Sequence, residues 1–164
     1  MNNYRRKDLK GRQHFNEDFG AWFITAGTED DYDKIDLYMT AKTRPDKTYA
    51  VEIKDYTNSG FDRPYSKFVK DGIDYGYQID FDKVDNLIKE AEKNGRIPLI
   101  YARFTDITLV WNLSYGKIRY NYENRKKLVN TNVDGQNYGA RREPSWQTYL
   151  YRDEACYDKE TIRR

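Results

Sequence analysis

One cysteine, one histidine and four prolines are all that the 164 residues hold of these three types. The lone Cys156 excludes a disulfide framework and any zinc site built on cysteines, and it points to an intracellular, reducing compartment. The lone His14 would have to carry every Ser-His-Asp triad, HExxH zinc site or histidine-dependent metal site by itself. Hydrolytic chemistry in this chain therefore has to run on carboxylates, lysine and an oxygen-loving metal. No apolar run approaches the ~20 residues that a membrane span needs, so no membrane association is expected. No apolar stretch follows the charges of residues 1–7, so no secretory signal is expected either, and the expected location is the cytoplasm. Ten glycines and four prolines are few, and aromatics at 16% are many, for a disordered chain, despite a mean hydropathy of −1.06. One domain over residues 1–164, with a core that leans on aromatics, is the reading that remains.

The net charge of +2 conceals a segregation. Residues 1–12 hold five Lys/Arg against Asp8, and residues 117–142 hold seven against Glu123 and Asp134. Between them, residues 13–116 hold 13 basic and 19 acidic residues. An acidic middle with basic flanks suits a carboxylate metal site with arms that grip a polyanion; ordinary solvated faces give the same pattern.

Periodicity outlines the elements. Phe15, Phe19, Trp22 and Phe23 recur at helical spacing and predict a helix over 12–26, with Gly27 placed to end it. Residues 35–40 and 48–54 read as strands, and the turn signal Pro45-Asp46 between them makes an antiparallel hairpin. Residues 55–79 carry no clear period, the mark of a functional or mobile segment. Asp80 is placed to cap a helix over 81–94, with Phe81, Val84, Leu87, Ile88 and Ala91 on one face. Residues 97–104 and 107–113 follow as a strand pair. The 114–144 stretch is basic and poorly patterned, and residues 145–151 alternate like a last strand. The class is α/β, a mixed sheet with helices packed on it.

The feature with chemistry in it is Asp36 on one strand and Glu52-Ile53-Lys54 on the next. Side chains alternate along a strand, so Glu52 and Lys54 share a face while Ile53 points away. The hairpin brings Asp36 towards Glu52. Two carboxylates and the Ile53 backbone carbonyl then make an oxygen site for Mg²⁺, with Mn²⁺ as the expected substitute. Lys54 beside it can orient a water and offset charge on a phosphate, which is enough for metal-assisted phosphodiester hydrolysis. An acid-x-Lys triplet alone carries little weight, since Asp8-Leu9-Lys10 is another. Only Glu52-Ile53-Lys54 lies in an apolar strand with a further acid on the strand before it; the bland alternative is an edge strand with a solvated Glu/Lys face.

On these residues the chain resembles the PD-(D/E)xK nuclease superfamily, and within it the Holliday-junction resolvase-like and phage-type members. The similar stretch covers about 11–113: Gly11, Arg12 and Phe15 at the start of a helix, Asp33 to Leu37 leading into a strand, Ala50-Val51-Glu52-Ile53-Lys54, a helix with Lys83 facing back, and the strand from Pro98 to Phe104. The resemblance implies a restriction-endonuclease-like core (αβββαβ), a central mixed four- to five-stranded sheet flanked by helices, followed by a basic C-terminal extension over 114–164. It implies Asp36, Glu52 and Lys54 as the catalytic set, a DNA substrate of branched shape, and a homodimer that cuts two strands symmetrically. Two departures stand out. Asn16 occupies the position where many relatives carry an acid, with Glu17 as a neighbouring candidate, and Asp33-Lys34-Ile35 lacks the proline common ahead of the first acid.

Further assignments follow from charge and position. Lys83 either faces the site or snorkels along its helix. Arg5, Arg6, Lys10, Arg12, Arg63, Lys67, Arg125, Lys126, Lys127, Arg141 and Arg142 are candidates for phosphate contact. The aromatics of 55–79 either stack on unpaired bases or anchor a loop or a dimer contact. His14 is read as a surface or phosphate-adjacent residue. The function that gathers these readings is a Mg²⁺-dependent, structure-selective DNA endonuclease; the rival is a nucleic-acid-binding or structural protein on the same fold with a degenerate site.

Overall fold

In the computed structural model, residues 3–27, 35–57, 62–132 and 142–161 are described. In chain order the elements are α1 (Asn3–Phe19), β1 (Phe23–Gly27), β2 (Leu37–Ala41), β3 (Thr48–Asp55), a 3-10 turn (Tyr65–Phe68), β4 (Val69–Lys70), β5 (Ile73–Asp74), β6 (Tyr77–Asp80), α2 (Phe81–Lys93), β7 (Ile97–Arg103), β8 (Ile107–Asn112), α3 (Gly116–Asn121), β9 (Lys127–Asn132), β10 (Arg142–Leu150), a second 3-10 turn (Arg152–Glu154) and β11 (Tyr157–Glu160).

A six-stranded sheet in the order β1-β2-β3-β7-β8-β11 forms the centre, wider than the four or five strands expected. Every neighbouring pair in it is antiparallel except β3 and β7, which run parallel from Tyr49↔Ile97 to Asp55↔Arg103. A parallel pair needs a long crossover, and the chain between 56 and 96 supplies it, α2 included. β7 is apolar almost throughout because both of its faces are covered. Leu99 and Tyr101 join Phe15, Leu37, Met39, Val51 and Val110 under α1. Ile100 and Ala102 join Ala50, Leu109, Trp111 and the buried stripe Val84, Leu87, Ile88 and Ala91 of α2.

Helix α1 stops earlier than its aromatic spacing predicts. Gly20 donates to the Asn16 carbonyl at 2.8 Å, and a Cβ at Gly20 would stand 2.5 Å from that oxygen, so the chain can turn here only on a glycine. Trp22 is then 63% exposed in the turn. Phe23 packs edge-on to Phe19 from a strand and not from the helix. Phe23 imitates the helical period because both residues sit over the same core. Gly27 ends β1 and not a helix.

The described residues of the segment without period are held in place by side-chain contacts. Tyr65 and Tyr77 are buried in it. Asp106 accepts from the N–H groups of Tyr65 and Ser66 at 2.7 and 3.1 Å, and Asp74 accepts from the Tyr65 hydroxyl at 2.8 Å, from Gly76 N–H at 2.8 Å and from Arg152 N–H at 3.0 Å. Such side-chain acceptors stand in for a strand ladder and leave no hydrophobic period to read. Asp80 stands at the N-cap of α2, but its carboxylate takes the Gln147 amide at 2.5 Å and caps no backbone N–H.

The described residues after 113 belong to the fold. β11 pairs with β8 at the edge of the central sheet, and β6-β10-β9 form a second sheet. Arg125 is tied into this part. Its guanidinium makes a two-pronged pair with Glu154 at 2.7 and 2.8 Å, and the Glu154 side chain is only 2% exposed. Removing one partner of a buried ion pair strands the other, a loss of about 3–5 kcal/mol. Arg125→Ala should therefore lower unfolding stability by about that amount in a urea titration, whereas Lys126→Ala, on an exposed side chain, should change it by no more than about 0.5 kcal/mol. Equal stability of the two variants would contradict the pairing.

Candidate metal and phosphate site

The antiparallel ladder of β2 and β3 is paired up to Leu37↔Val51. Asp36 is the next residue out and stands level with Glu52. Its Oδ2 accepts from the Ile53 N–H at 2.8 Å, so a side chain takes the place of the missing rung. The N–H and C=O of one strand residue point to the same edge. The Ile53 carbonyl therefore also faces the β2 side, beyond the paired rungs.

Glu52 and Lys54 project on the α2 face, as alternation requires, while Ile53 packs under α1. Glu52 is 6% exposed. The Lys54 ammonium lies 2.6 Å from Glu52 Oε1, and the Lys83 ammonium, brought in by the first turn of α2, lies 3.6 Å from the same oxygen. Burial pushes the Glu52 carboxyl up, but the charges of Lys54 and Lys83, with hydrogen bonds from Lys54 and Asp36, hold it below its ordinary value. Burial likewise disfavours the Lys54 charge, and the Glu52 carboxylate outweighs it and holds the ammonium above its ordinary range. The Glu52 and Asp36 carboxyls stand level on neighbouring strands and interact, an arrangement that calls for a proton or a cation.

Asp36, Glu52 and the Ile53 carbonyl fit a hard divalent cation. Among the described residues no group of three His, Cys, Asp or Glu comes together. A short protein donor set is what Mg²⁺ takes, since it keeps several waters or substrate oxygens among its ligands.

Tyr56 continues the same parity beyond β3, held by its N–H to the Arg103 carbonyl at 2.8 Å. Its ring stacks on Phe104 at 5.2 Å, and its hydroxyl bonds that of Tyr77. The chain returns at Arg63, whose N–H donates to the Tyr56 carbonyl at 2.9 Å and whose guanidinium lies 5.1 Å from the Tyr56 ring centre. In the sequence Tyr56 stands only among the aromatics of 55–79 that either stack on bases or anchor a loop; counting in twos from Glu52 and Lys54 puts it on their face of the strand.

Other candidates lie elsewhere. Asn16 and Glu17 are on α1, across the sheet from Glu52. Asn16 accepts from the Thr25 hydroxyl at 2.9 Å and Glu17 from the Gln13 amide at 3.1 Å. Asp33 and Arg141 lie outside the described residues, and of Arg5, Arg6 and Arg142 only the backbone is described. Lys10 and Lys67 are exposed and Arg12 is half-buried. Lys126 lies over the rings of Phe81 and Trp146 at 4.9 and 5.2 Å, and Lys127 over that of Tyr149 at 5.5 Å. Arg125 is committed to Glu154 and is no open phosphate contact. Tyr65 and Tyr77 are core, and Phe68 packs against them, so these three give no stacking surface. His14 joins the Asp55 carboxylate at 2.5 Å on the α1 face. With a side chain only 15% exposed it clamps helix to strand, and a lone histidine carries no spacing that could have revealed this.

The chain matches no protein-family model, no curated protein and no solved structure.

A pH dependence follows from the lowered Glu52 value. A depressed carboxyl stabilises the fold above its ordinary value of 4.5 and loses that contribution as pH falls through the folded value. Lys54→Met removes the larger opposing charge, so Glu52 then titrates higher. In EDTA, the stability gap between parent and Lys54→Met should be wide at about pH 7 and narrow at about pH 3. A gap independent of pH, measured by urea denaturation, would contradict the assignment.

Proposed function

We propose that this chain is a divalent-metal-dependent nuclease that hydrolyses DNA phosphodiester bonds. The observation that carries the reading is the meeting of Asp36, Glu52, Lys54 and Lys83 at one end of β3. The order α1, three antiparallel strands, α2 and a strand parallel to the third supports a restriction-endonuclease-like core of the PD-(D/E)xK type.

Asp36, Glu52 and the Ile53 carbonyl would hold Mg²⁺ or Mn²⁺. A cation bound there offsets the charge that builds on the phosphoryl oxygens during hydrolysis. Lys54, now paired to Glu52, carries the donors to orient the attacking water and to meet a phosphate oxygen. Lys83 adds a second positive charge at the same mouth. Water attacks phosphorus, the bond to the leaving sugar oxygen breaks, and the products are a phosphomonoester end and a hydroxyl end.

A second reading keeps the fold and the DNA but not the chemistry. It draws support from Asn16, which is engaged with Thr25 across the sheet and adds no third acid. Both readings are tested by incubating the protein with branched, single-stranded and duplex DNA in Mg²⁺, Mn²⁺ or EDTA. Cutting should occur with either metal and cease in EDTA. Asp36→Asn and Glu52→Gln should fold, bind DNA at least as well as the parent, since negative charge beside phosphate is lost, and fail to cut. Lys54→Ala should slow cutting by at least ~100-fold. Binding without cutting in every metal supports the second reading, and full cleavage by a folded Glu52→Gln protein would overturn the site. If branched DNA is the preferred substrate, symmetric cutting of two strands calls for a two-fold dimer, and sedimentation of the protein on such DNA should give two copies.

A further inference from the structure

The hydroxyls of Tyr56 and Tyr77 meet each other, and among the described residues neither has another hydrogen-bond partner. Two phenols carry two O–H donors, and one shared bond uses only one of them. Tyr77 is 1% exposed, with its ring stacked on Trp111 and edge-on to Phe104. Either hydroxyl can be the donor of that bond, but a buried O–H costs free energy unless it is bonded, so the arrangement in which Tyr77 donates to the Tyr56 oxygen is the favoured one. The unused proton is then that of Tyr56, which is half-buried. Burial also holds Tyr77 well above the ordinary phenol value, in keeping with a permanent donor.

Tyr56 shares its face with Glu52 and Lys54 by strand parity. The Arg63 guanidinium lies over its ring, and Lys54 and Glu52 interact electrostatically with the Tyr56–Tyr77 pair. Lys54, Lys83 and Arg63 put positive charge around this place. An O–H without an acceptor among the described residues, set among cations, is a donor matched to an anionic oxygen.

We propose that Tyr56 is a further catalytic residue of this site, its O–H donating to a non-bridging oxygen of the phosphate being cut, with Tyr77 as the positioning residue that fixes the direction of that donor. This rests on the nuclease reading above.

The test uses the full chain and a DNA that the parent cuts in Mg²⁺. Tyr56→Phe keeps the ring on Phe104 but strands the Tyr77 hydroxyl, so the double variant Tyr56→Phe/Tyr77→Phe is made beside it. Replacing both partners of a buried hydrogen bond by apolar groups of the same shape is nearly neutral for folding. The double variant should cut on the order of 100-fold more slowly at saturating DNA, with DNA affinity unchanged. Tyr77→Phe alone should lose less, and adding it to Tyr56→Phe should slow cutting no further, because Tyr77 acts only through Tyr56. With sulfur in place of one non-bridging oxygen at the cut position, the parent should lose more rate than the double variant, a difference that a merely structural tyrosine would not produce. Parent-like rates and parent-like sulfur sensitivity in the double variant would overturn the role of Tyr56 and leave the nuclease reading intact. If the folded parent cuts no DNA shape in Mg²⁺ or Mn²⁺, the nuclease reading fails and this assignment falls with it.

Discussion

A carboxylate taken out of water must be paired or give up its charge. Glu52 is buried in the middle of a sheet and keeps its charge because Lys54 and Lys83 converge on one of its oxygens. Each part of that arrangement comes from the fold. Strand parity places Lys54, the crossover between β3 and β7 delivers the first turn of α2 with Lys83, and the end of the β2 ladder leaves Asp36 beside Glu52. Removing Lys54 would leave the buried Glu52 carboxylate with only the exposed Lys83 beside it, so the site is held by the contacts of the central sheet.

β3 also divides the labour between its faces. On the α1 side Ile53 packs under the helix near Gly11, where a Cβ would come within 3.0 Å of the Ile53 side chain. Asp55 there is occupied by His14 and by both the N–H and the hydroxyl of Thr57. On the α2 side Glu52, Lys54 and Tyr56 stand in a row. One strand thus carries an anchored face and a charged face, and Tyr77 and Phe104 wall in the charged one.

The hairpin of β2 and β3, the stripe of α2 and the β7-β8 pair were legible because each is a plain period of two or near four. Asp36, Glu52 and Lys54 were legible for the same reason, whereas the period of α2 left Lys83 between facing the site and lying along the helix. Other features left no such signal. Phe23 fitted a helical period that Gly20 interrupts. The segment around Tyr65 and Tyr77 is held by Asp74 and Asp106 through side-chain acceptors, which have no hydrophobic repeat. Arg125 read as one cation in a basic run, and its buried partner Glu154 lies far along the chain. β11 is short and polar at the sheet edge, so neither its length nor its alternation marked it.

Uptake of a divalent cation by the Asp36 and Glu52 carboxyls is the step on which the site depends. Titration of the folded protein with Mn²⁺, followed by electron paramagnetic resonance, measures this without any DNA. The parent should bind Mn²⁺ saturably, and Asp36→Asn and Glu52→Gln should each lose that binding while remaining folded. Mn²⁺ binding of equal strength in parent and variants, or none in the parent, would contradict the metal site.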